Sequence, residues 1–323
     1  MAGRVSVGVD LGGTSFACAL VDETGRTVAQ CDGETKSAEG AESVLGRIGE
    51  AVVALREKAG LSPGDLLGIG MGVPGLIDAE RGIALFSPNL KWRDVQVAEI
   101  VGRRTGLPVY IDNDVRVAVW GERTYGAGRE VDVFILITLG TGIGGGLFLG
   151  GRIWRGAAGY AGEVGHQSIT ADGPLCGCGN RGCVEAWAGT AGILRRARAM
   201  LAESDDPRAH ELYRLAGGDI AAITPAMIHR AAVAGDAGAA RVLADTGRFV
   251  GTAMANLVNV LNPERIIVGG GIARAGDYIL EPMRQEIVRR GMDAAARMVE
   301  VVPAELGEAA GYVGASTLPR LAG

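Results

Sequence analysis

Lysine is scarce in this chain. Only Lys36, Lys58 and Lys91 stand among 32 basic residues, and none closes a glycine turn as Gly-Lys-Ser/Thr. A P-loop is therefore excluded. No long basic run is present either, and a net charge of −5 with a pI near 5.4 leaves no footprint for nucleic acid. Aromatic residues make up only 5%. The most apolar stretch, VFILITLGTGIGGGLFLGG, is broken by glycine and threonine and does not read as a membrane helix. The chain runs from Met1-Ala2-Gly3-Arg4 into Val5-Ser6-Val7-Gly8-Val9 without the charged and apolar regions of a secretory leader. The expected compartment is the cytoplasm, and the expected partner is a small molecule.

Glycine, by contrast, is abundant at 53 of 323 residues, about twice ordinary usage, which predicts many tight turns and some close approach to ligands. A length of 323 residues suggests about two domains.

Five cysteines is an odd number, and cytosolic thiols stay reduced, so a disulfide framework is not expected. Cys18 and Cys31 fall in alternating apolar segments and read as small buried residues. Cys176, Cys178 and Cys183 cluster, and with His166 they make a Cys₃His set able to close a zinc tetrahedron. Gly177, Gly179 and Gly182 let the chain turn between them. The spacing is C-x-C-x₄-C and not the C-x-x-C of a redox pair. Zinc is the favoured reading, with redox or unliganded thiols as the alternative.

RVSVGVD, FACALVD and GRTVAQCDGE read as three strands, followed by a helix from about Ala41 to Ala59 with Val44, Ile48, Ala51, Val52 and Leu55 on one face. LLGIGMGVPGLID is a strand entering a turn, and LPVYIDNDVRVAVWGE is a strand whose polar end opens a helix. VDVFILITLGTGIGGGLFLGGRI then echoes VSVGVDLGGTSFACALVD, which points to an internal duplication. A buried helix in GTAMANLVNVLNP, a strand in ERIIVGGG and a helix in DYILEPMRQEIVRRG follow. Leu306, Ala309, Ala310 and Val313 have helical spacing. The expected division is a smaller α/β domain over 1–115, joined by a C-terminal helix at 305–320, and a larger α/β domain over 116–304 that carries the cysteine loop.

Gly140-Thr141-Gly142-Ile143-Gly144-Gly145 fits G-x-G-x-x-G, but Leu147-Phe148-Leu149 after it reads as strand and not as the helix a dinucleotide site requires. Two strand–turn–strand units with glycines and a threonine could instead direct backbone N–H groups and hydroxyls at a phosphate chain. VGGGIARAGD adds a third glycine turn, between a strand and a helix.

DLGGT at 10–14, GVPG at 72–75, DND at 112–114, LGTGIGGG at 139–146, GEVGH at 162–166, CGCGNRGC at 176–183 with its cysteines, and VGGGIA at 268–273 resemble the ROK family in order and spacing over nearly the whole chain. That family comprises bacterial ATP-dependent sugar kinases, notably glucokinases, and related repressors. The resemblance implies an actin-like, ribonuclease-H-type duplicated two-domain fold with ATP in the interdomain cleft. It implies phosphorylation of a hexose, glucose to glucose 6-phosphate foremost, in a homodimer or homotetramer.

Residue by residue, it implies Asp114 as the base that takes the hydroxyl proton. The plain alternative for Asp114 is a helix N-cap. Gly75, Asn89, Asn113, Asp114, Glu163, His166 and Glu185 would line the sugar site. Asp10 would orient Mg²⁺ or its waters, and Gly12, Gly13, Thr14, Gly140, Thr141, Gly142, Gly269, Gly270 and Gly271 would bind ATP. His166, Cys176, Cys178 and Cys183 would hold a structural Zn²⁺ that fixes the neighbouring Glu163 and Glu185. An EF-hand in DNDVRV fails, because Arg116 stands where an oxygen ligand belongs.

Two positions depart from the family pattern: Ser15 after DLGGT, and Arg116 after DND, which could reshape the pocket mouth. The rivals are a kinase for fructose, mannose or an N-acetylhexosamine, polyphosphate as donor, and a sugar-responsive repressor. Such a repressor carries an N-terminal helix-turn-helix, for which a first strand beginning by about residue 4 leaves no room.

Overall fold

The computed structural model describes residues 5–322. Two compact units divide the chain: one holds residues through Val131, Arg152–Ala161 and the stretch from Ala304 onward, and the other holds Asp132–Gly151 and Gly162–Pro303.

The first unit is built on a sheet in the order Thr27–Glu34, Ser15–Val21, Val5–Leu11, Leu66–Val73, Val109–Asn113. The first three strands are antiparallel, and the last two run parallel to Val5–Leu11. Alternation assigns the faces. Val7, Val9 and Leu11 are fully buried in one core with Val44, Leu45, Ile48 and Val52 of the helix Ala41–Lys58. On the other face Gly8 and Gly70 lie side by side, and a Cβ on either would come 1.8 Å from the carbonyl oxygen of Tyr312 or Ala315. Two adjacent glycines thus let the helix Ala310–Ala315 lie directly on the sheet backbone. The helix Asp114–Tyr125 packs on that same terminal helix. The buried Glu122 carboxylate accepts from the backbone N–H groups of Ala127, Glu305 and Leu306 at 2.7, 3.2 and 2.9 Å. The chain therefore stays in this unit past residue 115, because the helix that begins at Asp114 has its apolar partner in the C-terminal stretch.

The second unit repeats the scheme. Ile143–Leu149 and Val133–Leu139 form an antiparallel hairpin, beside which Arg265–Gly269 and then Glu300–Pro303 run parallel. The same order of hairpin followed by two parallel strands occurs in both units, which is the duplication the sequence echo predicts. Ile135, Ile137, Leu139, Ile266 and Val268 are buried with the helices Ala237–Leu261 and Asp277–Arg290. Among the described residues no helix is long and apolar enough to cross a membrane.

Candidate active site

In the first unit the candidate residues gather at the carboxyl ends of the parallel strands, where open α/β sheets place their ligands. Asp10 pairs in register with Gly72, and Gly72 with Asp112, so the ends of three strands are aligned. Asn113 is the N-cap of the helix that Asp114 opens: its Oδ1 accepts from the backbone N–H of Val115 and Arg116 at 3.0 and 3.3 Å. The capping role therefore falls to Asn113. Asp114, half-buried, also accepts from the N–H of Val115, at 3.0 Å. The Nδ2 of Asn113 donates to the carbonyl of Gly75 at 3.1 Å, which links two candidate sugar residues. Burial first, and then the charge of Asp114, push Asp10 up to about 6. Two carboxylates converge here, at the same end of one sheet.

The turn Gly12-Gly13-Thr14 is closed by Gly12 N–H donating to Ser15 O at 2.9 Å and is held from outside by Thr35, whose hydroxyl donates to Gly12 O at 2.8 Å. Asn89 is exposed and lies beside Gly13.

In the second unit the matching turn, Gly140-Thr141-Gly142, is held by Thr190, whose backbone N–H and hydroxyl both donate to Gly140 O at 3.1 and 2.9 Å. Neither Thr35 nor Thr190 is marked by any sequence pattern. A cavity of about 510 Å³ beside this turn is lined by Thr141, Thr190, Ala191, Leu194, Arg195 and Arg198. Gly270, between Gly269 and Gly271, has φ +89 and passes so close to Leu139 O that a Cβ would lie 2.4 Å from it. Gly271 and Ile272 border a second cavity of about 220 Å³ together with Ile193, Ala226 and His229.

His166, Cys176, Cys178 and Cys183 offer ligand atoms that all lie within 4.8 Å of one another. Cys176 Sγ is 3.6 Å from His166 Nδ1, and Cys178 Sγ is 3.7 Å from Cys183 Sγ. A tetrahedron with Zn–S bonds of about 2.3 Å has S···S edges of about 3.8 Å, so the donor set fits zinc. Burial, with the neighbouring thiols, pushes Cys183 up to about 12, and burial also raises Cys176. A set of thiolates at this spot calls for a cation to offset their charge. The knot is shaped by Gly179 and Gly182 at φ +90 and +74, with Gly182 so close to Thr170 O that a Cβ would lie 1.8 Å away. Positive φ is not found at Gly177.

His166 directs Nδ1 at the thiols, and its Nε2 is 4.0 Å from the exposed carboxylate of Glu163. Glu185 bridges two parts of the unit. Its Oε2 accepts from Ile143 N–H at 2.9 Å, immediately after the Gly140–Gly142 turn, and Cys176 Sγ lies 3.6 Å from its Oε1. Any side chain at Gly142 would collide with that carboxylate, as a Cβ there would lie 2.4 Å from Oε2.

The candidate residues are thus collected at two places: Asp10, Gly12–Thr14, Gly75, Asn89, Asn113 and Asp114 in the first unit, and Gly140–Gly142, Glu163, His166, Glu185 and Gly269–Gly271 in the second. The ROK family profile matches residues 6–321. This chain belongs to the ROK family. The glucokinase of Halalkalibacterium halodurans is 36% identical over 319 residues, covering 98% of this chain and 96% of that relative. The crystal structure of a ROK family glucokinase from Streptomyces griseus in complex with glucose and AMPPNP superposes with a TM-score of 0.85 at 36% identity, over 98% of this ROK chain and 99% of the other. The xylose repressor of Caldicellulosiruptor bescii is 33% identical over 89% of this chain and 71% of its own length. The fold expected of the family, actin-like and of mixed α/β type in two domains, is the fold found.

Proposed function

We propose that this protein is a hexokinase that transfers the γ-phosphoryl group of ATP to glucose, giving glucose 6-phosphate. The observation that carries this reading is Asn113 capping the helix, which leaves the Asp114 carboxylate at the strand ends beside Asp10. Phosphoryl transfer to an alcohol needs a carboxylate that accepts the hydroxyl proton as the oxygen attacks, together with positioning and charge neutralisation around the phosphates. Asp114 serves as that base. Asn113 and Gly75, tied to each other, hold the adjacent part of the sugar, and Glu163, His166 and Glu185 accept or donate to its other hydroxyls.

Asp10 would hold Mg²⁺ or its waters, and the ion supplies charge neutralisation to the phosphates. The backbone N–H groups of the Gly12–Thr14 and Gly140–Gly142 turns cradle the phosphate chain. Zinc on His166, Cys176, Cys178 and Cys183 would be structural, because four protein donors leave no open position for a reacting water. An imidazole giving Nδ1 to the metal keeps its proton on Nε2, a fixed donor toward a sugar oxygen.

The test is a coupled assay of glucose, mannose, fructose and an N-acetylhexosamine, each with ATP and with polyphosphate. Glucose with ATP should give the highest kcat/KM. No turnover of any hexose would remove the reading, and a preference for another sugar or for polyphosphate would correct the substrate or the donor.

A further inference from the structure

Arg116 is a departure from the family pattern, and its side chain is turned inward. Its side chain is only 7% exposed, and it reaches back to the strand before it, where Nη1 donates to Asp112 Oδ1 at 3.2 Å. Its Nη2 donates to the carbonyl of Gly159 in a short hydrogen bond. Asp112 is fully buried, and its Oδ2 accepts from Arg155 Nη2 in another short contact, while Oδ1 also takes the N–H of Asn113 at 2.8 Å.

Arg155 and Gly159 belong to Arg152–Ala161, a segment inserted between two stretches of the second unit yet grouped with the first. It contains only the two-residue strand Arg152–Ile153 as regular structure, and Trp154 and Tyr160 are 45% and 61% exposed. Its own closure is one hydrogen bond, Ala161 N–H to Arg155 O at 3.1 Å. Asp112 and Arg116, the residues just before and after Asn113–Asp114, give the turn beyond that strand side-chain anchors. Two residues beyond Ala161 comes Glu163.

We infer that Arg116 is a positioning residue: together with Asp112 it pins the Arg155–Gly159 turn to the strand end and helix start that carry Asn113 and Asp114. It thereby steadies Asn113 and Asp114 for hexose binding. A planar guanidinium can address a carboxylate and a carbonyl at once, a fork that a lysine ammonium does not reproduce. The arrangement is a device for geometry first, since buried ion pairs bring little net stability against apolar replacements. The sugar consequence rests on the proposed hexose kinase activity, whereas the pinning of the segment does not.

The experiment compares wild type with Arg116→Lys and Arg155→Ala, the second at a half-exposed position where folding is less at risk. Amide hydrogen exchange over residues 152–161 should speed by about tenfold or more in both, the size of one lost anchoring contact. KM for glucose should rise by about tenfold while KM for ATP changes by less than about threefold. Asp114→Asn is the control: it should lower kcat by about 10²–10⁴-fold and leave exchange over 152–161 as in wild type. Unchanged exchange in both variants overturns the pinning, and equal rises in the two KM values overturn its role in sugar binding. Wild type that exchanges as expected but phosphorylates no hexose overturns the functional reading alone.

Discussion

Asp10 and Asp114 meet at one end of one sheet, and burial, reinforced by the charge of Asp114, lifts Asp10 from 3.8 to about 6. The sign follows from linkage. A carboxyl raised on folding keeps its proton in the native state between about pH 4 and 6 while the unfolded chain releases it, so stability falls as pH rises through that window. Asp10→Asn removes the titration. In the ligand-free protein the variant should therefore be the more stable at pH 7, by no more than about 3 kcal/mol, and the gain should shrink to nothing near pH 4. Urea denaturation of both proteins at pH 4, 5, 6 and 7 reads this directly, and a difference that does not vary with pH would contradict it. The candidate residues could be named from sequence because each sits in a short motif: Asp10 in DLGGT, Asp114 in DND, Glu163 and His166 in GEVGH. The roles of Thr35, Thr190 and Arg116 were not, since Thr35 holds a carbonyl 23 residues away, Thr190 one 50 away and Arg116 one 43 away, and no local pattern marks such partners.

The cysteine knot is an element with two attachments. His166 carries it toward Glu163, and Glu185 carries it toward Ile143 and the Gly140–Gly142 turn. The C-x-C-x₄-C spacing made a metal-binding set readable from sequence, but it suggested a device for the proposed sugar side alone, because the Gly140–Gly142 turn lies on a distant segment. The hydrogen bond from Ile143 to Glu185 shows that the two are joined. Wild type should contain one zinc per chain by elemental analysis, and Cys178→Ser, at the exposed ligand, should lose it. Sugar Kd should then rise by more than about tenfold, and Kd for an unreactive ATP analogue by about threefold, reflecting one loosened contact. Absence of zinc from wild type, or unchanged sugar affinity in a zinc-free folded variant, would contradict this view of the knot.

At the scale of the whole molecule, two units share one strand order, a hairpin followed by two parallel strands, and each contributes a glycine–threonine turn and a set of polar side chains. The duplication was legible because the two hairpins echo each other in sequence. The return of the C-terminal stretch to the first unit was expected, but the allocation of residues 116–131 was harder to read, since it depends on helix packing and on the buried Glu122 carboxylate gathering backbone N–H groups from residues 127, 305 and 306. In the account proposed here, the reaction is proton removal by Asp114 as phosphate arrives. Product analysis by phosphorus NMR, with glucose and Mg·ATP, tests it most directly in wild type and Asp114→Asn side by side. The prediction is glucose 6-phosphate from wild type, and from the variant a kcat lower by about 10²–10⁴-fold, the usual loss for a missing general base, with glucose Kd little changed. A variant within about tenfold of wild-type kcat, or a wild type that makes no sugar phosphate, would contradict it.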